Sequence, residues 1–320
     1  MIDREDVFDE YEILRDAFRG EDFGEEYSQH EDPNEQAAKF LDNVNSVAEP
    51  IYPGNTKYPQ LKFVTRLLHW KNHNKCSDKA FDELLLLLGD VFPEGHKLPF
   101  NYYDVKKMVK KLNMGYEKIH ACENDCMLFY GDDKDLENCK YCELSRYNVA
   151  TNGGSDTILR KILRYFKITH RLQRLYMCTH TAGHMKYHKN RIVTEGVLSH
   201  PVDGEEWKEF DKNYPDFAAE IRNVRLGLVY NLPHTMSMKE PYMFMTLLVP
   251  GPNDPERNLN VYLRPLIDEL FNLWQVGVQT FDTSTKTNFM MRAALLWTIS
   301  DFPGLGMVNS WEDGLSYLYG

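Results

Sequence analysis

Four cysteines, Cys122, Cys126, Cys139 and Cys142, fall within 21 residues in the pattern Cys-x3-Cys-x12-Cys-x2-Cys. Two short-spaced pairs joined by an excursion can close four thiolates around one tetrahedral ion, the set that zinc takes in structural sites. Four protein ligands leave no position for water, so the chemistry expected is structural rather than catalytic. The flanking residues Asn124, Asp125, Asn138 and Lys140 are polar, unlike the surroundings of four unrelated core cysteines. Met1 leads into Ile2-Asp3-Arg4-Glu5-Asp6 rather than a leader, and no run of about 18 apolar residues occurs. The expectation is a soluble protein that is not secreted, with thiolates on a metal in place of disulfides.

Two further constellations are weaker. Cys178-x-His180, His184 and His188 would share a helix face at i, i+4 spacing, as metal ligands do. No further cysteine follows, and the next acidic residue is Glu195, so a basic, partly exposed surface is the preferred reading. Asp301 follows the apolar run Ala293–Ile299 and Ser300. A carboxylate just past a buried strand is where two-metal nucleases hold magnesium, although an Asp ahead of Phe302-Pro303 also starts ordinary turns.

The net charge of −11 is distributed unevenly. Residues 1–56 hold 16 Asp/Glu against 4 Lys/Arg, and residues 57–118 hold 12 Lys/Arg against 7 Asp/Glu. Residues 158–192 hold 9 Lys/Arg and no acid: Arg160, Lys161, Arg164, Lys167, Arg171, Arg174, Lys186, Lys189 and Arg191. Tyr165, Phe166, Tyr176 and Tyr187 are interleaved with them. Cations that displace counterions from phosphates, with aromatic faces that stack on bases, make this stretch the expected DNA-binding segment.

The elements that must position these groups are legible from periodicity. Residues 1–33 are acid-rich and are expected to be a disordered, solvating head. From Asn34 to residue 115 the pattern is a helical module. Asn34 caps a helix bearing Ala37, Phe40, Leu41 and Val44, and a second helix carries Leu61, Val64, Leu67 and Leu68. Ser77 caps a third, expected to end at Gly89 and Pro93, and a fourth runs from Tyr103 to Leu112. Residues 116–147 are the cysteine segment, followed by the linker Thr151-Asn152-Gly153-Gly154-Ser155. Residues 156–215 are expected to be basic and helical, with Leu159, Ile162, Leu163 and Phe166 on one face. Strands are expected at Arg225–Tyr230, Tyr242–Val249 and Ala293–Ile299, with a helix from Val261 to Trp274. Residues 221–311 thus form an α/β or α+β unit, and the fold class is mixed.

Several strings together resemble plant transposases of the CACTA (En/Spm) class. They begin with Lys118-Ile119-His120-Ala121-Cys122-x3-Cys126 and Cys139-x2-Cys142-x3-Arg146-Tyr147. They continue through Leu163-Arg164-Tyr165-Phe166, His200-Pro201-x-Asp203-Gly204-x2-Trp207 and Arg222-Asn223-Val224-Arg225-Leu226-Gly227-Leu228. Met238-Lys239-Glu240-Pro241-Tyr242, Val261 to Leu270, and Leu295-Leu296-Trp297-Thr298-Ile299-x-Asp301-Phe302-Pro303 follow in the same order.

The resemblance implies a nuclear protein that binds transposon-end DNA and cuts it with an RNase H-like domain, using three acidic residues and two Mg2+ ions. It leaves room for a homo-oligomer and gives no membrane role. Its pattern places a Ser-Asp-Gly-Phe-Asn-Pro-type segment, with the first acidic ligand, after Leu-Gly-Leu. Here Leu228 runs directly into Val229-Tyr230-Asn231-Leu232-Pro233. Asp301 matches the second acid, and residues 312–320 diverge, so the α/β unit is expected to be internally deleted, truncated and catalytically inactive. The alternatives are an active nuclease, which needs replacement carboxylates or a partner chain, and a recruited DNA- or protein-binding module. Asp268, Glu269 and Asp282 are nearby in sequence, but nothing in the sequence places them in the missing roles.

Overall fold

The structure, a computed structural model, describes residues 31–112, 115–148, 158–190, 201–230, 246–249 and 258–300. They fall into two compact units. The first comprises Met1–Gly115, Gln173–Met185 and Gln279–Phe289; the second comprises Tyr116–Leu172, Lys186–Val278 and Met290–Gly320.

The first unit opens with helices α1 (Glu35–Ala48), α2 (Gln60–His73), α3 (Asp78–Val91) and α4 (Tyr102–Lys111). Asn34, Ser77 and Asn101 each cap a helix by accepting from a backbone N–H three residues on, at 3.0, 3.2 and 2.9 Å. Helix α3 runs through Gly89 and stops at Val91, because the residue before Pro93 disfavours helical backbone. The apolar stripes are buried, including Val64, Leu68, Phe81, Val105 and Leu112. Lys71 is also buried, paired with Asp78 at 2.8 Å and lying 4.4 Å from the Tyr102 ring. Ala37 and Phe40 form a cluster with Met177 and Phe281 from the later segments of this unit.

The second unit begins with β1 (Glu117–Ala121), β2 (Leu128–Phe129), β3 (Tyr147–Asn148), β4 (Ile158–Leu159) and β5 (Lys161–Tyr165). In chain order there follow α5 (Ile168–Met177), which belongs to the first unit from Gln173 on, and the single turn α6 (Thr179–Ala182), also of the first unit. Then come α7 (Tyr187–Asn190), another single turn, α8 (Glu205–Asn213) and α9 (Pro215–Ala219) of the second. The remaining elements are β6 (Val224–Tyr230), β7 (Leu247–Leu248), α10 (Leu259–Gln275), the hairpin β8 (Val278–Asp282) and β9 (Thr287–Met291), whose residues Gln279–Phe289 belong to the first unit, and β10 (Ala293–Ser300). Mixed helix and sheet is therefore the fold class. Of the strand expected over Tyr242–Val249, the described part is β7; residues 242–245 lie outside the described residues.

One sheet has the order β2-β1-β5-β7, and all its pairings are antiparallel. This corrects the helical reading of residues 158–166. Leu163, Arg164 and Tyr165 are consecutive buried residues of β5, so both faces of the strand are covered and its apolar positions show no clean alternation. The spacing of Leu159, Ile162, Leu163 and Phe166 matched a helix face by coincidence, and the helix starts only at Ile168.

Strands β6 and β10 are parallel neighbours, with Val224 opposite Ala293 and Tyr230 opposite Ser300. Helix α10 packs against β10, and Phe210, Phe217, Trp274 and Ala294 form one core cluster. A Cβ on Gly227 would overlap the Trp297 indole across the pair, so a larger residue there would force that ring to move.

Candidate metal centre

Each cysteine pair sits on a tight backbone knuckle. In the first, which joins β1 to β2, the Cys122 N–H donates to Met127 O at 2.9 Å and the Asp125 N–H to Cys122 O at 3.0 Å. In the second, the Cys139 N–H donates to Leu144 O at 2.8 Å and the Glu143 N–H to Cys139 O at 2.9 Å. Both turns need a left-handed residue, supplied by Asp125 (φ 57°) and Glu143 (φ 60°).

The four Sγ atoms all lie within 4.8 Å of one another. Cys122 Sγ and Cys142 Sγ are 3.4 Å apart, too far for a disulfide of about 2.05 Å. A zinc ion about 2.3 Å from each sulfur requires edges of about 3.8 Å, so the residues fit the ion. Cys122 and Cys139 are buried against Met127 and Phe129, while Cys126 and Cys142 are half-buried. Burial pushes the Cys122 thiol up to about 12 and raises Cys126 as well. A backbone hydrogen bond from Leu144 pulls Cys142 down to about 7. A divalent cation overrides such differences by holding all four sulfurs as thiolates. The four cysteines are thus positioned to bind a metal ion.

The centre is anchored by side chains whose partners lie far away in sequence. The Asp125 carboxylate accepts from Lys161 Nζ on β5 and from the Tyr262 hydroxyl on α10. Burial, then the hydrogen bond to Asp125, raises the Tyr262 phenol, so it stays a donor. Arg146 donates to His120 Nδ1 and to the carbonyls of Lys134 and Leu136 (both 2.9 Å), with its guanidinium 4.8 Å from the Phe129 ring. Burial, aided by that guanidinium, lowers His120, which keeps the acceptor nitrogen free. Asp125 entered the sequence reading only as a polar flank. Its positive φ and its distant partners leave no local signal.

The expected DNA-binding residues turn out to be mostly engaged within the protein. Arg160 pairs with Glu123, Lys161 with Asp125, and Lys167 with Glu117 at 3.1 Å. Arg164 and Arg171 are buried, the latter 5.1 Å from the Phe166 ring. Arg174 and Lys186 are half-buried, Lys189 is exposed, and Arg191 lies outside the described residues. Strand β5 and helix α5 account for the buried members, Arg164 and Arg171, whereas Lys167 is exposed and pairs with Glu117 at the surface.

The stretch with Cys178, His180, His184 and His188 is not one helix. It breaks at Gly183 into a single turn, a 3-10 turn and another single turn, so the i, i+4 face does not form. The His180 side chain is outside the described set. Among the described residues, the only group of His, Cys, Asp or Glu placed to hold a metal is the four cysteines.

Asp301 lies outside the described residues. The three carboxylates nearby in sequence have other partners. Asp268 accepts from Arg264 Nε at 2.9 Å, and buried Asp282 accepts from the Ser284 N–H and hydroxyl at 2.9 and 2.6 Å. Glu269 caps α5 by accepting from the N–H groups of Ile168 and Thr169 at 3.1 and 2.9 Å, and it also accepts from the Tyr165 hydroxyl.

Residues 195–229 and 228–316 are similar to the Transposase family tnp2, which supports a transposase family for this chain. The match runs to residue 316, beyond Trp311 where the resemblance read from the sequence stops, and the four cysteines lie outside it. No curated protein and no solved structure matches the chain. Among the described residues no helix is long and apolar enough to cross a membrane.

Proposed function

We propose that this chain is a plant CACTA-type transposase relative that acts in the nucleus, holds one structural zinc ion, and binds DNA without cutting it. The observation that carries the reading is the division of the family match into two segments that meet at Leu228 and Val229. The resemblance expects the first acidic ligand to follow that point, and the chain continues instead into Tyr230-Asn231-Leu232-Pro233.

The parallel pairing of β6 and β10 supports an RNase H-like unit over residues 221–311. It brings the C-terminal ends of the two strands side by side, where the resemblance places the first two acids. Only Asp301 matches one of those positions, and one carboxylate does not hold two Mg2+ ions. Asp268, Glu269 and Asp282 are already committed to an ion pair, a turn or a helix cap. Among the described residues, none of these three carboxylates is left to complete a two-magnesium site.

Zinc on Cys122, Cys126, Cys139 and Cys142 would supply cohesion and no reactive water, since every position is filled by sulfur. Its work is to hold the two knuckles so that Asp125 can reach Lys161 and Tyr262. The partner this reading gives is transposon-end DNA.

The test is to incubate the purified chain with supercoiled and linear duplex DNA in Mg2+ or Mn2+. The expected result is retarded but uncut DNA. Metal-dependent cleavage that disappears in Asp301→Ala would overturn the inactive reading, and failure to retard any DNA would overturn the binding.

A further inference from the structure

The exposed basic face of the described protein lies on α4, in the first unit. Lys106, Lys107, Lys110 and Lys111 are all exposed, and none forms an ion pair among the described residues; Lys106 Nζ lies 4.3 Å from the Tyr102 ring. At 3.6 residues per turn the four span an arc of about 140° with Tyr103 inside it. The opposite arc, Tyr102, Val105, Met108 and Val109, is buried. Tyr103 is 73% exposed and Phe100, just ahead of the helix, is 72% exposed. The only acid on α4 is Asp104.

One edge of this face borders an open groove of about 510 Å³ lined in part by Asn43, Gln60, His96, Lys97, Lys107 and Lys111. Lys97 is balanced by Glu49, so the positive charge comes from α4. Lysines in a last turn also complement the helix dipole. Lys110 and Lys111 satisfy that role, which leaves Lys106, Lys107 and the two exposed rings unaccounted for.

We propose that this face of α4 binds the phosphodiester backbone of nucleic acid, with Tyr103 and Phe100 positioned to stack on unpaired bases. The proposal rests on the reading of the chain as a DNA binder and names the surface that does it. Lysines at i and i+4 stand about 6 Å apart along the helix, close to the step between successive phosphates of one strand. The rings suit single strands, because every base has a face to stack.

The experiment measures affinity of the full chain for labelled duplex and single-stranded DNA between about 50 and 200 mM salt. The parent is compared with the fourfold variant K106Q/K107Q/K110Q/K111Q and with Tyr103→Ala. The fourfold variant should bind both DNAs about 10- to 100-fold more weakly, with a log–log salt slope shallower by about 3. Tyr103→Ala should weaken single-strand binding several-fold and leave the duplex unchanged. If the parent binds DNA and the fourfold variant binds it equally well, the surface is wrong while the DNA-binding reading stands. If the parent binds neither DNA, the DNA-binding reading itself fails. If the fourfold variant loses affinity only for a peptide of residues 1–33, the face serves an acidic segment and the proposal falls.

Discussion

Residues 158–192 carry nine Lys/Arg with no acid, whereas α4 carries four lysines and one Asp in ten residues. By count the first region is the stronger DNA candidate. In the structure, however, Arg164 and Arg171 are buried, and Arg160, Lys161 and Lys167 pair with Glu123, Asp125 and Glu117. The α4 lysines all face outward. A run free of acids is balanced by acids from elsewhere in the chain, so local charge does not report free charge. What decides is the face: Arg164 on β5 and Arg171 on α5 lie on buried faces, whereas the four lysines of α4 lie on the solvent face of an amphipathic helix.

The largest effect that would sharpen this contrast comes from removing the metal. Structural zinc contributes on the order of 10 kcal/mol to the fold it closes. Chelation should therefore strip hydrogen-exchange protection from β1, β2 and β5, while the α4 amides keep theirs. Equal loss in both places would break the comparison. Next comes Arg164→Glu, which places an acid at a site only 5% exposed and should cost about 3–5 kcal/mol in chemical denaturation. Lys107→Glu on α4 should leave the unfolding midpoint unchanged.

Asp125→Ala should cost about 2–3 kcal/mol, because it strands the Lys161 ammonium, 11% exposed, and the Tyr262 hydroxyl. A smaller loss would mean that the first knuckle is not anchored through this carboxylate. The smallest effect is expected at Glu143, exposed and left-handed at φ 60°. Glu143→Gly relieves that backbone and should stabilise by up to about 1 kcal/mol, read as a higher unfolding midpoint. A lower midpoint would show that the Glu143 side chain contributes more than its strain costs.

The four-cysteine cluster was legible because its signal is local: two pairs of cysteines at short spacings. Strands β6 and β10 and helix α10 were legible because long apolar runs report burial directly, and the N-caps Asn34 and Ser77 announce their helices. Strand β5 was not, because its apolar positions fit both a helix face and a strand buried on both sides. The Asp125 anchor was invisible for a different reason: its partner Tyr262 lies 137 residues away. The helix cap by Glu269 has the same character, with its donors about 100 residues away. The histidine face, the less favoured reading of Cys178 to His188, does not form because the turns part at Gly183.

The central claim is that four thiolates on two knuckles hold one structural zinc ion on which strand β5 depends. Native mass spectrometry of the full chain and of Cys139→Ser tests it most directly. The account predicts the mass of one zinc on the parent and none on the variant. A parent that carries no metal under reducing conditions, or a variant that keeps its zinc, would contradict it.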